Sequence, residues 1–288
     1  MIRLGHASHE PILKTRAEVS RLRSGAERLT ETLFAVASRL APGVDTASLE
    51  SAAGEHLTQL RADTLADLTG FPSVLCASRN NVAAHGVPDT VPLEEGDLVT
   101  LDLAARIDGW WGDVAWTFII GDDDASSDRR AITRARRIRT AAWQACRAGV
   151  RCCTPGARIG DLAAAMAEAA HRHGCDIVPD FAGHGIGREL HEAPAVTPRG
   201  LPGMGARLVP GMVITVEPVV VAGDCQVDTL NDGWTYVTRD GSLAAQFEVM
   251  VYIHGEGHEV ISYPRSRGPF SDGSPFPDPG PVPGARPS

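Results

Sequence analysis

Residues 98 to 120 have the sequence Leu98-Val-Thr-Leu-Asp102-Leu-Ala-Ala-Arg-Ile-Asp108-Gly109-Trp-Trp-Gly-Asp113-Val-Ala-Trp-Thr-Phe-Ile-Ile120. Two runs rich in β-forming residues flank Asp108-Gly109. This dipeptide readily takes positive φ angles, which is typical of a tight hairpin turn. The stretch therefore predicts two long antiparallel strands joined by two residues.

The predicted hairpin places two acids on one face. With the turn at Asp108-Gly109, Asp102 faces Ala115 and Asp113 faces Ala104. Side chains alternate along a strand, so the two aspartates become diagonal neighbours, roughly 7–8 Å apart. Two bare charges on an otherwise apolar face are costly to bury, and a cation between them would relieve that cost.

Composition limits the function classes. The chain has 288 residues, of which 43% are hydrophobic, so it can bury the core of one large α/β or α+β domain. Its formal charge of −9 gives no reason to expect DNA as a partner. No apolar stretch approaches the roughly 20 residues of a membrane span, and the first residues lack a signal-peptide core. Six cysteines without Cys-x-x-Cys spacing indicate reduced thiols and a cytoplasmic protein.

A helical pattern occurs twice. Apolar residues recur at steps of three and four between residues 16 and 40, and a second helix is marked from Leu49 to Leu60. Residues 128–149 and the segment after Pro155-Gly156 repeat this arrangement. Pro-Gly-x5-Leu occurs at residue 42 and again 113 residues later. A match this short can arise by chance, but its place between two helices favours a duplicated α+β half.

The remaining β-rich segments complete the predicted fold. They cover residues 72–78, 212–222, 244–253 and 259–263, and they predict a curved, largely antiparallel sheet with four main helices on its outer face. Residues 1–15 are interpreted as an N-terminal extension and residues 16–263 as one catalytic domain. Eight of the 20 prolines lie between residues 264 and 287, so the tail 264–288 is predicted to be disordered.

Three further stretches carry acids or histidines in apolar surroundings. Gly183 to Pro194 is glycine-rich and contains His184 and His191, while Glu217 and Glu248 each interrupt an apolar β-rich run. Each residue alone is explained equally well as a satisfied buried polar group. Together, four carboxylates would balance two divalent cations. Mixed oxygen and nitrogen ligands suit Mn, Fe, Co or Zn, and such a pair of ions lowers the pKa of water for hydrolysis of an amide or ester.

The chain resembles type I methionine aminopeptidases, within the pita-bread metallopeptidase superfamily that includes prolidase, aminopeptidase P and creatinase. The resemblance runs from about Val19 to Ser262. It rests on Asp-x10-Asp in the hairpin, Gly-His-Gly-Ile-Gly-Arg, His-Glu-x-Pro, Thr-x-Glu-Pro and Ala-Gln-x-Glu, which occur in the family's order. It implies a fold of two pseudo-symmetric halves.

The resemblance also implies roles for individual residues. The metal ligands would be Asp102, Asp113, His184, Glu217 and Glu248, with Asp113 and Glu248 bridging two ions. Glu217 would also handle a proton of the attacking water. The loop Val82-Ala-Ala-His85-Gly-Val-Pro matches a family motif, so His85 would contact the scissile amide nitrogen. His191 would stabilise the carbonyl oxygen.

The match is weaker in the side-chain pocket. The positions that line a methionine pocket in the family are occupied here by Leu68, Phe71, Cys76, Leu190 and Trp234. Leu68 and Leu190 stand where aromatic residues are common, Glu189 stands where glycine is common, and Val249 stands where histidine is common. These departures affect substrate preference more than catalysis.

Three functions are therefore considered. The favoured one is a monomeric methionine aminopeptidase acting on nascent protein N-termini. A paralogue with another N-terminal residue or small amide as substrate is the nearest alternative. A non-catalytic binding module would be expected to have lost metal ligands, and none is lost. Arginines between residues 129 and 139 could contact the ribosome, although a solvated helix face explains them more simply.

Overall fold

The computed structural model describes residues 10–121 and 129–263, which form an α+β fold. The proline-rich tail 264–288 lies outside the described residues, so its predicted disorder stays untested. The helices are α1 (Arg16–Ala37), α2 (Thr46–Leu60), α3 (Leu65–Thr69), α4 (Arg129–Arg151) and α5 (Ile159–His171). The strands are β1 (Asp63–Thr64), β2 (Cys76–Arg79), β3 (Val82–Ala84), β4 (Leu98–Ile107), β5 (Trp110–Ile119), β6 (Asp176–Ile177), β7 (Gly183–Gly185), β8 (Glu192–Val196), β9 (Val213–Val216), β10 (Val219–Val221), β11 (Val227–Thr229), β12 (Tyr236–Thr238), β13 (Ala244–Gln246), β14 (Val249–His254) and β15 (Gly257–Val260).

The central hairpin has the predicted register. Asp108 and Gly109 form its turn with φ angles of 53° and 78°, which asparagine, aspartate and glycine tolerate best. Asp102 pairs with Ala115 and Ala104 pairs with Asp113, as expected from a turn at these two residues. The two aspartates are therefore fixed by main-chain pairing before any side-chain contact is made.

The long helices bury the apolar stripes that the sequence predicted. Helix α1 begins with a capping box in which Thr15 and Glu18 satisfy each other's main-chain donors. Its Leu22 and Leu29 are fully buried, and the helix packs mainly against β4 and β5. Helix α4 packs against β10 and β13 in the second half. The predicted four main helices are confirmed, with α3 as a short addition.

The two halves repeat a local arrangement. Gly43, with φ of 88°, donates a main-chain hydrogen bond of 2.8 Å to Leu93 just before the β4 strand. Gly156, with φ of 94°, donates an equivalent bond of 2.9 Å to Leu208 just before β9. Each glycine takes a left-handed conformation between two helices. The repeated Pro-Gly sequence thus marks the same turn in both halves.

All strand pairings are antiparallel, but two predicted strands are interrupted. The pairings form four separate sheets among the described residues instead of one continuous sheet. The run expected at 212–222 divides into β9 and β10 at Glu217-Pro218, since Pro218 has no main-chain donor. The run expected at 244–253 divides into β13 and β14 at Phe247-Glu248. Because β9 pairs with β14 and β10 with β13, both glutamates lie where the chain passes from one sheet to another.

The structure bears on the predictions about cysteines and membrane spans. All six cysteines are free thiols, as expected from their spacing. Among the described helices, none combines the length and apolarity needed to span a bilayer.

Candidate metal centre

Three neighbouring pairings align the acids across the sheet. Cys76 on β2 pairs with Asp102 on β4, and Asp102 pairs with Ala115 on β5. Ala115 in turn forms an isolated bridge with Glu248, whose main-chain nitrogen donates to the Ala115 oxygen at 2.9 Å. The backbone therefore brings Asp102 and Glu248 to either side of one alanine.

Asp113, His184 and Glu248 converge in the buried interior. Each offers one ligand atom within 4.8 Å of the others. The His184 Nε2 atom lies 3.7 Å from Asp113 Oδ2 and 3.5 Å from Glu217 Oε1. His184 Nδ1 lies 3.0 Å from the Gly185 carbonyl oxygen. Since Nδ1 donates to that carbonyl, the lone pair of Nε2 points towards the carboxylates.

Thr215 connects two of these side chains. Its hydroxyl oxygen accepts a hydrogen bond of 2.9 Å from the His184 main-chain nitrogen. The same hydroxyl donates to Glu217 Oε1 at 2.6 Å. Thr215 is fully buried on β9, so it fixes both residues relative to one strand.

Burial raises the pKa values of all four acids, so ionising them together is energetically costly. Desolvation raises the pKa of Asp102 to about 7 and that of Glu217 to about 8. Desolvation and the neighbouring carboxylates raise the pKa values of Asp113 and Glu248 well above their ordinary range. Burial, together with nearby His191, lowers the pKa of His184 to about 3, so its imidazole is neutral near pH 7.

The donor set fits a divalent cation. Glu248 Oε1 is buried and has no hydrogen-bond partner within the described part of the chain. A buried carboxylate oxygen without a partner is costly, and a cation would satisfy it while lowering the pKa values of all four acids. Carboxylate oxygens with one neutral imidazole match the ligand preference of Mn, Fe, Co and Zn. The sequence prediction placed Asp102 and Glu217 in the same set, and both border the cluster.

Two histidines lie beside the cluster. The His191 ring is 4.3 Å from the His184 ring, centroid to centroid. His85 adopts a positive φ of 51° and packs edge-on against Phe181 and Tyr236. Burial, with His191 nearby, lowers the pKa of His85 to about 4. Burial lowers the pKa of His191 as well, which favours the neutral form of both imidazoles.

Comparison with known proteins agrees with this chemistry. The model of metallopeptidase family M24 matches residues 20–255. The chain belongs to metallopeptidase family M24. A methionine aminopeptidase of Clostridium perfringens is 35% identical over 253 residues, which cover 87% of this chain and 98% of that protein. A methionine aminopeptidase of Rickettsia prowazekii is 34% identical, with 87% and 94% of the two chains covered.

The fold of this M24 chain is also matched by a solved structure. The crystal structure of methionine aminopeptidase from Rickettsia prowazekii superposes with a TM-score of 0.82 and 32% sequence identity. The match covers 88% of this chain and all of that one. The resemblance to methionine aminopeptidases and the predicted pita-bread fold are therefore confirmed.

Of the five predicted pocket residues of the M24 chain, only Phe71 and Trp234 have a described contact with each other. Phe71 and Trp234 meet edge-on with centroids 5.4 Å apart. Cys76 is buried beside Asp102, and Leu190 packs into a buried cluster with Trp110. Leu68 is 43% exposed on α3.

Sequence reasoning missed several residues that the fold brings into contact with predicted site residues. Half-buried Phe181 and Tyr236 contact each other, with centroids 5.1 Å apart, as well as His85. Phe181 lies three residues before His184, and Tyr236 begins β12 two residues after Trp234, so closeness in sequence to predicted site residues was the available signal. Leu65, rather than Leu68, is the α3 residue that packs against the cluster containing Leu190.

Proposed function

We propose that this protein is a methionine aminopeptidase that hydrolyses the peptide bond after the N-terminal methionine of new polypeptides. The observation that supports this function best is the convergence of Asp113, His184 and Glu248 with an unpartnered, buried carboxylate oxygen. In an M24 chain, this arrangement is suited to a metal-dependent hydrolase.

Five residues would hold two divalent ions, of Co, Mn, Fe or Zn. They are Asp102, Asp113, His184, Glu217 and Glu248, with Asp113 and Glu248 shared between the ions. Four ionised carboxylates balance two divalent charges, while neutral His184 adds a ligand without charge. When bound, such ions polarise a carbonyl group and lower the pKa of water, so that hydroxide is available near neutral pH.

The chain's own groups would then guide the substrate and the protons. Glu217, oriented by Thr215, accepts a proton from the attacking water and returns it to the departing amine. Neutral His191 donates a hydrogen bond to the carbonyl oxygen as that oxygen gains negative charge. His85 contacts the scissile amide nitrogen.

The substrate's methionine side chain would occupy the space bounded by Leu68, Phe71, Cys76, Leu190 and Trp234. The edge-on pair of Phe71 and Trp234 offers an aromatic wall to the thioether. Contacts between sulfur and an aromatic ring contribute about 0.3–1.5 kcal/mol each, enough to favour methionine over a residue without sulfur.

Release of free methionine from Met-Ala-Ser peptides tests the proposal. The protein, freed of metal and then supplied with Mn²⁺ or Co²⁺, should release methionine from Met-Ala-Ser faster than it releases alanine or leucine from matched peptides. No release with any of the four metals would refute it.

One observation favours a second candidate, a paralogue with a different preferred N-terminal residue. Glu189 is exposed next to Leu190, so a carboxylate lies beside the proposed pocket. The same three peptides discriminate the two functions, because a paralogue would show equal or better release of alanine or leucine.

Partners and location follow from the same proposal. The protein would act as a cytoplasmic monomer on nascent chains, with transient ribosome contact through exposed arginines of α4 such as Arg134 and Arg137. Co-sedimentation with ribosomes at low and high salt tests the contact, since binding through arginine would weaken as salt rises. Neither DNA nor a membrane is expected as a partner.

A further inference from the structure

A buried ion pair lies outside the proposed metal ligands. The Lys14 ammonium group contacts the Glu192 carboxylate, and the two side chains are 3% and 2% exposed. Burying both charges is costly, so a pair of this kind persists only where its remaining hydrogen-bonding groups are also satisfied. Lys14 precedes α1, and Glu192 follows His191 directly.

The pair's other bonds all go to the main chain. Glu192 Oε1 accepts from the main-chain nitrogens of Arg188 at 2.9 Å and Glu189 at 3.4 Å. The Lys14 ammonium group also donates to the Ile12 oxygen at 2.8 Å, and its main-chain nitrogen donates to Gly211 at 2.7 Å. The segment before α1 is therefore attached to the loop from residue 188 to residue 192.

The backbone passes close to this pair at Gly187. A Cβ atom at Gly187 would lie 2.5 Å from Glu192 Oε1 and 2.6 Å from Lys14 Cε. Only glycine allows this approach without displacing the pair. On the opposite side, the Arg188 guanidinium lies 3.9 Å above the Trp110 ring and donates to the Gly109 oxygen at 3.2 Å. The loop is thus held from two sides.

This loop carries Leu190 and His191, which the proposed function places beside the substrate. Leu190 packs into the cluster beside the proposed pocket, and the His191 ring lies 4.3 Å from His184. A rotation of the loop would move both side chains without disturbing Asp113 or Glu248, which lie on other elements.

We propose that Lys14 and Glu192 form a positioning pair that fixes the main chain of residues 188–192 and so holds the His191 ring against the substrate carbonyl. The inference rests on the proposed peptidase function for its kinetic consequence. Its structural consequence, an ordered loop, does not depend on any substrate.

The double variant Lys14→Met/Glu192→Gln removes both charges but keeps an oxygen for the two loop amides. Amide hydrogen exchange in residues 188–192 should become at least about tenfold faster in the metal-loaded protein, because those amides lose a rigid acceptor. On Met-Ala-Ser, kcat should fall about 10- to 100-fold, as expected for a group misplaced by about 1 Å, with a smaller change in KM. Unchanged exchange would overturn the positioning role.

A second, more exposed ion pair between α1 and a distant strand provides the control. Arg23 on α1 contacts Glu259 on β15 at 2.6 Å, and neither residue adjoins a proposed site side chain in sequence. Arg23→Met/Glu259→Gln should leave both kcat and exchange in residues 188–192 unchanged. An equal loss in this control would overturn the proposal, since any lost ion pair would then act alike.

A second comparison shows whether the pair acts through His191. In a His191→Ala background, the Lys14→Met/Glu192→Gln change should lower kcat by less than about twofold, because residues acting as a unit are not additive. A full further loss would contradict action through His191. If the double variant does not fold, Glu192→Asp carries the same exchange and kcat measurements, because it keeps both charges of the buried pair but withdraws the carboxylate from the loop amides.

The two proposals fail separately. If the wild-type protein hydrolyses no peptide, the proposed function is wrong, while the exchange measurement still decides whether Lys14 and Glu192 fix the loop. If wild-type turnover is normal and the double variant matches it in exchange and kcat, only the positioning role is wrong.

Discussion

The candidate metal centre and the proposed side-chain pocket are built differently. Asp113 and His184 lie within paired strands, and Glu248 is bonded through its main chain to the central hairpin. The pocket wall comes from connecting segments, with Phe71 following α3 and Trp234 preceding β12. Main-chain pairing fixes the centre, whereas the wall depends on packing between side chains. Changes in the centre should therefore abolish the chemistry, and changes in the wall should alter only which substrate is preferred.

The largest effect is expected for Glu248→Gln. The amide removes the charge of a proposed shared ligand, so release of methionine from Met-Ala-Ser should fall at least about 1,000-fold, or about 4 kcal/mol in transition-state free energy. Glu259→Gln, in the adjoining hairpin, is the control and should retain wild-type rates. Full activity in Glu248→Gln would show that the centre has been assigned to the wrong residues.

A smaller loss is expected from the residue that orients two ligands. Thr215→Val removes the hydroxyl that bonds His184 and Glu217, and metal affinity measured by calorimetry should fall about 10- to 100-fold. Thr100 lies two residues before Asp102 on β4, just as Thr215 lies two residues before Glu217. Its hydroxyl oxygen is 2.8 Å from the Thr117 hydroxyl oxygen and does not bond a proposed ligand. Thr100→Val should therefore keep wild-type affinity. Equal losses in both variants would mean that strand packing, rather than ligand orientation, is responsible.

Metal affinity should rise with pH between about 7 and 8. The pKa values of Asp102 and Glu217 in the metal-free protein are about 7 and about 8, so a cation must displace protons held by these acids. Each displaced proton changes the apparent affinity about tenfold per pH unit. Titrations in buffers of different ionisation enthalpy measure the released protons. Affinity independent of pH in this range would contradict the raised pKa values.

The free energy of unfolding of the metal-free protein should fall over the same pH range, from about 7 to 8. A carboxyl group whose folded pKa is raised binds more protons in the folded state, so the free energy of unfolding falls as pH rises through that pKa. The histidines whose pKa is lowered by burial act in the opposite direction, but an unfolded pKa of 6.5 leaves them mostly neutral by pH 7, so their contribution between pH 7 and 8 is smaller than that of the acids. Urea unfolding with chelator should therefore give lower stability at pH 8 than at pH 7. Higher stability at pH 8 than at pH 7 would contradict the raised pKa values of the buried acids in the metal-free protein.

The smallest effect is expected in the pocket wall. Phe71→Leu removes the ring that meets Trp234, which should lower the preference for methionine over leucine by about fivefold, near 1 kcal/mol. Phe34 makes an edge-on contact of the same 5.4 Å with Trp116, away from the pocket. Phe34→Leu should reduce stability without changing the ratio of kcat/KM values for the two peptides. A similar shift in both variants would remove Phe71 from the pocket.

The difference between local main-chain pairing and packing of distant segments explains how much of the structure the sequence could predict. The hairpin register followed from Asp108-Gly109, because a two-residue turn leaves one pairing, and the helices followed from their apolar period. The breaks in the strands at Glu217 and Glu248 were not predicted, although both residues were recognised as acids within apolar runs. They arise where strands change sheets, and that depends on tertiary pairing that local residue patterns do not contain.

Contacts between distant segments were equally beyond local patterns. Lys14 and Glu192 are 178 positions apart, and nothing around Lys14 indicates a buried partner. The site roles of His85 and the pocket residues came from resemblance to a family and stay predictions. The structure adds that His85 packs against Phe181 and Tyr236, which lie close in sequence to predicted site residues.

Parallel titration of metal binding and activity tests the central claim most directly. Metal-free protein is titrated with Mn²⁺ while bound ions per chain and methionine release from Met-Ala-Ser are measured on the same samples. We expect release to appear as ions bind, to reach its maximum at two ions per chain, and to be absent throughout in Glu248→Gln. Methionine release that is complete before any ion is bound, or a wild-type chain that binds no divalent ion, would contradict the account.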